Sequence, residues 1–181
     1  MIFLSRLDRK KNLDGALTIL KDVKGDLQLN IYGPVEDRSY WAQCQELIKA
    51  LPANVRVQYQ GSVKPEEVAG VMMEHDLFFM PTRGENFGHV IMEALMAGCP
   101  VLISDQTPWR TLEEKGVGWD LPLSEPTRFR SIIEDCIRMD EEEFSQWSKA
   151  ASAYALSIAR DQNVIQQNRR LFQSVMSGSD G

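Results

Sequence analysis

The sequence lacks the features that would indicate a nucleic-acid binder, a metalloprotein or a membrane protein. Its formal net charge is −6, and an acidic chain binds a phosphate backbone poorly. Two isolated histidines do not suggest a metal site, and no apolar run is long enough to cross a membrane. The N-terminus has no basic-then-apolar signal segment, and three cysteines at unrelated spacings are typical of reduced thiols. We therefore expect a cytoplasmic protein.

The 181 residues can form one domain with a substantial hydrophobic core, and no repeat, low-complexity segment or long linker divides them. Strand-like and helical segments alternate along the chain. This order predicts an α/β fold with a doubly wound, Rossmann-like parallel sheet of about six strands, helices on both faces and a helical C-terminal end. The predicted strands are 2–4, 27–32, 55–59, 77–80, 100–103 and 119–121; the predicted helices are 13–22, 39–51, 66–74, 87–98, 111–115, 126–139, 140–159 and 161–176.

The predicted domain covers residues 1–176, and we expect residues 177–181 to form a disordered tail. Because the chain begins almost within a core strand, we also expect it to be a fragment of a longer protein.

Residues 76–103 predict a strand, a polar loop, a helix and a further strand. Asn86 is a good N-cap for a helix that begins near Phe87, and Gly98 is a plausible C-terminal stop. A strand's carboxyl end therefore meets a helix N-terminus, where free N–H groups and the helix dipole attract anions. Gly88 would let the backbone approach a bound ligand closely.

Glu93 is the only charged residue between Val90 and Ile103. A carboxylate in so apolar a segment needs a partner, because burying it alone is costly. The partner could be a lysine or arginine in a structural ion pair, or it could be a ligand. The helix alone does not decide between the two.

A second charged segment follows the first predicted strand, with four basic residues, Arg6, Arg9, Lys10 and Lys11. Most such runs are solvated loops. This one follows a strand's carboxyl end, where doubly wound sheets bind their ligands. We predict that Arg6 and Lys11 are functional and that Arg9 and Lys10 lie on the surface.

Glu85 and Glu93 are separated by seven residues, and together with Asn-Phe-Gly after Glu85 they resemble the E-x7-E signature of glycosyltransferase family 4, also called group 1. The flanking Met-Pro-Thr and Glu-Ala-Leu-Met-Ala-Gly-Cys-Pro-Val match it too. Residues 5–12 resemble the family's Gly-Arg-Leu…Lys-Gly motif, although Ser5 and Asn12 stand where glycines are usual. The resemblance extends from Ile2 to about Leu123 and implies the C-terminal, nucleotide-sugar-binding half of a GT-B enzyme.

The resemblance also implies roles for individual residues. Arg6 and Lys11 would bind the donor diphosphate and Glu85 the transferred sugar, and these three are the predicted catalytic residues. Glu93 would accept hydrogen bonds from the ribose hydroxyls. The remaining predicted donor-binding residues lie in loops: Asn86, Phe87, Gly88, Val63 beside the base, and Gly33, which could equally be an ordinary turn glycine.

Enzymes of this kind transfer sugar from a UDP-, GDP- or ADP-sugar with retention of configuration, and the resemblance implies neither a cofactor nor a metal. A glycan or lipid-linked acceptor would bind an N-terminal domain that this chain lacks, so we expect donor binding with little or no transfer. A lipid-linked acceptor would place the enzyme at the cytoplasmic face of a membrane. The family's usual Gly-Gly pair is absent from the loop 104–109, where Trp109 is predicted to pack in the core rather than to stack on a ligand.

Two alternatives remain. The first is a stand-alone nucleotide-binding or scaffolding module without catalytic activity. The second, a dinucleotide-binding oxidoreductase domain, is disfavoured because no G-x-G-x-x-G follows the first strand.

Overall fold

The computed structural model describes residues 1–161, which contain a six-stranded sheet whose strands are all parallel. The strands are β1 (Ile2–Leu4), β2 (Leu27–Tyr32), β3 (Val55–Gly61), β4 (Phe78–Met80), β5 (Val101–Ser104) and β6 (Gly118–Leu121). Their order across the sheet is β3-β2-β1-β4-β5-β6. The predicted doubly wound sheet of about six strands is therefore confirmed.

Six α-helices connect and cover the strands in the same part of the chain. They are α1 (Leu13–Leu20), α2 (Arg38–Lys49), α3 (Val68–Met73), α4 (His89–Met96), α5 (Pro126–Arg138) and α6 (Glu141–Arg160). A short 3₁₀ turn, Pro65–Glu67, precedes α3. Helix α1 packs against α2 and α5, whereas α4 packs against α3 and α6, and these two groups cover the two faces of the sheet.

Burial along the strands follows their place in the sheet. Every residue of β4 and β5 is buried, as expected for inner strands that helices cover on both faces. Strand β3 lies at the edge, and most of its residues are exposed or half-buried. Helix α1 buries Leu13, Ala16, Leu17 and Leu20, the spacing of a single helical face.

The structure corrects two predicted helices. Helix α4 begins at His89 rather than near Phe87, because its N-cap is Gly88 in the left-handed conformation (φ 77°) and not Asn86. Residues 111–115 form turns instead of a helix. The Asp120 carboxylate accepts hydrogen bonds from the N–H groups of Thr111 (3.2 Å) and Leu112 (2.9 Å), which holds this segment in a turn.

The predicted helix 66–74 is divided into the 3₁₀ turn and α3. The predicted helix 161–176 and the predicted tail 177–181 lie outside the described residues, apart from residue 161. Within residues 1–161, no helix is long and apolar enough to cross a bilayer.

The strand order positions the loops. The chain runs outward from β1 through β2 to β3, then returns to the other side of β1 and runs outward from β4 to β6. The loops that follow β1 and β4 therefore diverge at the carboxyl edge of the sheet. In an open parallel sheet, this switch point is where a crevice for ligands forms.

Candidate functional site

Two of the predicted catalytic residues are in direct contact. Lys11, in the loop after β1, donates a hydrogen bond from Nζ to Oε2 of Glu85, in the loop after β4. Their side chains are only 11% and 17% exposed, respectively. An ion pair so far withdrawn from water interacts more strongly than one on an open surface.

The surroundings of Glu85 keep it ionised. Burial by itself would raise the pKa of the Glu85 carboxyl, but the hydrogen bond and charge of Lys11, the Asn86 backbone N–H and the charge of Lys10 together outweigh burial and lower the pKa. The Asn86 N–H lies 3.0 Å from Glu85 Oε1. At neutral pH Glu85 is therefore a hydrogen-bond acceptor and not a proton donor.

Further contacts join the loops that carry Lys11 and Glu85. The Arg83 N–H (2.8 Å) and the Thr82 hydroxyl (3.0 Å) both donate to the Lys10 carbonyl. Arg83 Nη2 lies 3.0 Å from Asp14 Oδ2, and the Tyr40 hydroxyl donates to the other Asp14 oxygen at 2.7 Å. These contacts hold the two loops in a fixed relative position.

Asn12 contributes another contact between the two loops, and its backbone conformation explains why asparagine occupies this position. It is 6% exposed and adopts the left-handed conformation (φ 61°, ψ 40°) at the start of α1. Apart from glycine, asparagine is one of the few residues that adopt this conformation readily. Its Nδ2 donates to the Pro81 carbonyl at 2.7 Å. Asparagine at position 12 therefore satisfies the same backbone requirement as the glycine that is usual at this position of the family's motif.

Arg6 lies in a different environment from Lys11. Its side chain is 58% exposed, and Nη1 donates to both carboxylate oxygens of Glu36 at 3.2 and 3.1 Å. Asp8 lies 3.9 Å away. Arg6 thus pairs with the loop after β2, while Lys11 pairs with the loop after β4. Arg9 and Lys10 are exposed, as predicted.

The first turn of α4 carries no side-chain cap. The Ile91 N–H donates to the Gly88 carbonyl at 2.9 Å, whereas within residues 1–161 the N–H groups of His89 and Val90 remain available at the edge of the sheet. Gly88 has a φ of 77°, which favours glycine, and a Cβ there would lie 2.8 Å from Ile91 Cδ1 and 3.1 Å from Trp109 Nε1, so the tip of the Ile91 side chain would have to move. Trp109 packs against the core, and its indole N–H donates to the Phe87 carbonyl at 2.8 Å. Asn86 and Phe87 are exposed beside this turn.

Glu93 is not the buried carboxylate that the apolar segment suggested. It is exposed, as is Met96 on the same face of α4, and it forms no ion pair within residues 1–161. The structural ion pair considered for Glu93 is therefore wrong. Its role in binding ribose stays a prediction.

Val63 and Gly33 lie in the loops after β3 and β2. Val63 is half-buried and packs against the core. Gly33 has a φ of 132°, and a Cβ there would lie 1.8 Å from the Ser5 carbonyl oxygen. Close packing alone therefore accounts for this glycine, and its contact with a donor stays a prediction.

Glu36, Asp14 and Arg83 are partners of the site that the sequence did not predict. The Arg6–Glu36 and Arg83–Asp14 pairs join residues 30 and 69 positions apart, respectively. No local spacing signals such pairs. The only available signal was that charged residues lie in loops at the same edge of the sheet.

Comparisons with known proteins agree with this fold. The family model described as "Glycosyl transferases group 1" matches residues 1–153. The chain therefore belongs to the group 1 glycosyltransferase family.

Individual relatives match this chain at 28–29% identity. The chain is similar to a phosphatidyl-myo-inositol mannosyltransferase of Mycobacterium leprae, with 28% identity over 189 residues that cover 99% of this chain and 48% of the relative. It is also similar to a 2-deoxystreptamine N-acetyl-D-glucosaminyltransferase of Niallia circulans, with 29% identity over 107 residues, 56% of this chain and 26% of that protein. The chain thus spans at most about half the length of these relatives.

A solved structure of Anabaena HepE in complex with UDP and glucose matches with a TM-score of 0.76 and 23% identity, over 97% of this chain and 47% of that one. At this identity the match shows the fold alone. The fold is that of one Rossmann-like half of a GT-B glycosyltransferase, as predicted.

Proposed function

We propose that residues 1–176 are the donor-binding, C-terminal domain of a retaining family 4 glycosyltransferase that transfers sugar from a nucleotide diphosphate sugar. The observation that carries the proposal is the contact between Lys11 and Glu85. The two residues belong to separate motifs 74 positions apart, yet they meet at the carboxyl edge of the sheet. The uncapped first turn of α4 begins four residues after Glu85.

The chemistry requires positive charge where the departing diphosphate accumulates negative charge. Lys11 has three N–H donors, of which Glu85 takes one, so the others can face phosphate oxygens. The N–H groups at the start of α4 and the Arg6 guanidinium add further donors. No nucleophile from the protein is needed for this role, and we nominate none.

To give its guanidinium fully to a diphosphate, Arg6 would exchange its present partner, Glu36. The Arg6 and Glu36 side chains are 58% and 43% exposed, and such surface pairs contribute only about 0–1 kcal/mol. A diphosphate, which offers more negative charge and several acceptor oxygens, competes well for the guanidinium. Arg6 would then change partner on binding while Lys11 stays in position.

The carboxylates would hold the sugar portions of the donor. Glu85, ionised beside Lys11, would accept hydrogen bonds from hydroxyls of the transferred sugar. Glu93 is exposed, so both of its carboxylate oxygens are accessible to a ribose diol. We propose that Asn86, Phe87 and Gly88 contact the transferred sugar and the diphosphate, that Val63 lies beside the base, and that Gly33 approaches the donor.

The relatives support a nucleotide-sugar donor and a larger enzyme. One solved relative is a complex with UDP and glucose, and one curated relative is a mannosyltransferase. The chain covers about half of each. We therefore propose that the acceptor, a glycan or a lipid-linked molecule, binds through an N-terminal domain at the cytoplasmic side. This chain alone would bind the donor with little or no transfer.

Calorimetric titration of the chain with UDP, GDP and ADP tests the donor site. We expect one nucleotide to bind, and Glu93→Ala and Arg6→Ala each to weaken its binding about 10- to 100-fold, the value of a lost charge-assisted hydrogen bond. Matched controls are Glu142→Ala and Arg138→Ala, exposed residues of α6 and α5 far from this edge. Binding that neither site substitution weakens would contradict the proposal.

A second experiment separates the enzyme from the stand-alone module. The chain that binds a nucleotide is mixed with the N-terminal half of a group 1 relative and the matching sugar donor. Transfer to the relative's acceptor supports the enzyme. Nucleotide binding without transfer, even when both halves lie in one chain, supports the module.

A further inference from the structure

Asn12 joins the two loops of the candidate site through a buried side chain. It follows Lys11 directly, and its Nδ2 donates to the carbonyl of Pro81, four residues before Glu85. The side chain is withdrawn from water, since the residue is 6% exposed. One amide therefore connects the backbone beside Lys11 with the backbone that leads to Glu85.

The surrounding chain leaves room for this amide. A Cβ added at Gly15, one turn into α1, would lie 2.6 Å from both Nδ2 and Oδ1 of Asn12. Gly15, unlike Gly33 and Gly88, does not have a positive φ that would explain why glycine occurs at this position. Glycine is unfavourable inside a helix, so a packing reason is needed, and the Asn12 side chain supplies it.

The left-handed backbone of Asn12 does not by itself require asparagine. Glycine adopts this conformation at lower cost, but it has no side chain that could reach Pro81. The additional function of asparagine is therefore the hydrogen bond, and the bond ends at the loop that carries Glu85.

We propose that Asn12 is a positioning residue of the donor site: its amide holds the loop after β1 against the end of β4 and so sets Lys11 against Glu85. Asn12 does not touch the donor itself. The link to diphosphate binding depends on the proposed function, whereas the positioning of Lys11 against Glu85 does not.

Two substitutions remove this contact in different ways. Asn12→Gly keeps the left-handed backbone and deletes the amide. Gly15→Ala leaves Asn12 and Lys11 in place but displaces the amide, and it adds the better helix former, so folding is not at risk from a weakened helix. The matched control is Asn54→Gly, since Asn54 Nδ2 also ties two loops, through Val23 O (3.0 Å) and Gly25 O (2.7 Å), at the amino edge of the sheet.

The first readout is the pKa of the Glu85 carboxyl. It is measured in the absence of nucleotide, by NMR of the carboxyl carbon of the side chain. The charged groups that act on Glu85 are Lys11 and Lys10, both in the loop that Asn12 holds. Both site variants should raise the pKa of Glu85 above its wild-type value, and Asn54→Gly should leave it unchanged. A purely structural role for Asn12 would lower the unfolding temperature without moving this pKa.

The second readout is calorimetric titration with whichever of UDP, GDP and ADP the wild type binds. Loss of one hydrogen bond that fixes Lys11 should weaken binding roughly threefold to tenfold in both site variants and leave Asn54→Gly unaffected. An unchanged Glu85 pKa in both site variants would overturn the inference. A raised pKa with undiminished nucleotide binding would overturn its link to the donor. A raised pKa in a protein whose wild type binds no nucleotide would support the positioning role and count against the proposed function.

Discussion

Removal of the Lys11 charge is the most direct test of the electrostatics of the site. Lys11→Met keeps most of the length of the side chain and leaves the Glu85 carboxylate, 17% exposed, without its cation. Breaking a fully buried pair costs about 3–5 kcal/mol. Breaking an exposed pair costs about 0–1 kcal/mol. The Lys11–Glu85 pair lies between these limits, so we expect a loss of about 2–3 kcal/mol at pH 7.

The loss should depend on pH in a defined direction. In the wild type Lys11 helps to hold the pKa of Glu85 below its ordinary value of 4.5, so the pair stabilises the fold above that pH and loses its contribution as the pH falls through the folded-state pKa. In Lys11→Met, burial is opposed only by the Asn86 N–H and the charge of Lys10, so the pKa of Glu85 should rise above its wild-type value. Protonation of Glu85 then removes the unpaired buried charge that destabilises the variant. The difference between wild type and variant should therefore be largest near neutral pH and shrink as the solution is acidified.

Urea unfolding followed by tryptophan fluorescence at neutral and acidic pH measures both quantities. The control is Lys49→Met, which removes the same charge from the Lys49–Glu46 pair, whose side chains are 70% and 73% exposed. It should cost no more than about 0.5 kcal/mol at either pH. If Lys11→Met costs no more than Lys49→Met, or costs the same at both pH values, the argument from burial is wrong.

Two further predictions concern stability. Gly33→Ala places a methyl group 1.8 Å from the Ser5 carbonyl oxygen and should destabilise the fold by about 3 kcal/mol or more. Gly61→Ala, at φ 81° with open space around it, should cost only about 1 kcal/mol of backbone strain. Equal shifts in the thermal unfolding temperature of the two variants would contradict this ranking. Burial lowers the pKa of His75, whose ring lies 2.8 Å from the Asn30 amide, so the folded state binds a proton less readily than the unfolded chain. Stability should therefore fall as the pH drops below about 6.5. His75→Gln should flatten this slope in urea unfolding between pH 7.5 and 5.5, and an unchanged slope would count against the explanation.

The strands could be predicted because their signals are local. Runs such as Phe78–Met80 and Val101–Ser104 are short, apolar and bounded by breakers, and they proved to be the fully buried inner strands. The helix starts were less predictable. Asn86 has the composition of an N-cap, but the left-handed Gly88 fixes the start of α4, and backbone conformation is not encoded in a capping preference.

The candidate site also has features with a local sequence signal and features without one. Lys11 and Glu85 were singled out because each lies in a recognisable motif, yet their contact depends on the strand order and not on either motif. The exposure of Glu93 was missed because the apolar composition of its helix suggested burial on all sides. In the fold, one face of α4 carries both Glu93 and Met96 to the surface. Composition therefore indicated the helix without indicating which face was covered.

The strand order also affects how the domain assembles. Strands β1 to β3 come from residues 2–61 and β4 to β6 from residues 78–121, so the sheet consists of two consecutive halves that meet along one seam between β1 and β4. Strands β1 and β4 share a single aligned pair in the sheet, Ile2 with Phe78. The contacts of Lys11 with Glu85, Asn12 with Pro81 and Asp14 with Arg83 all cross this seam. Residues of the candidate site thus also join the two halves of the sheet, and a substitution among them will act on both the site and the cohesion of the sheet.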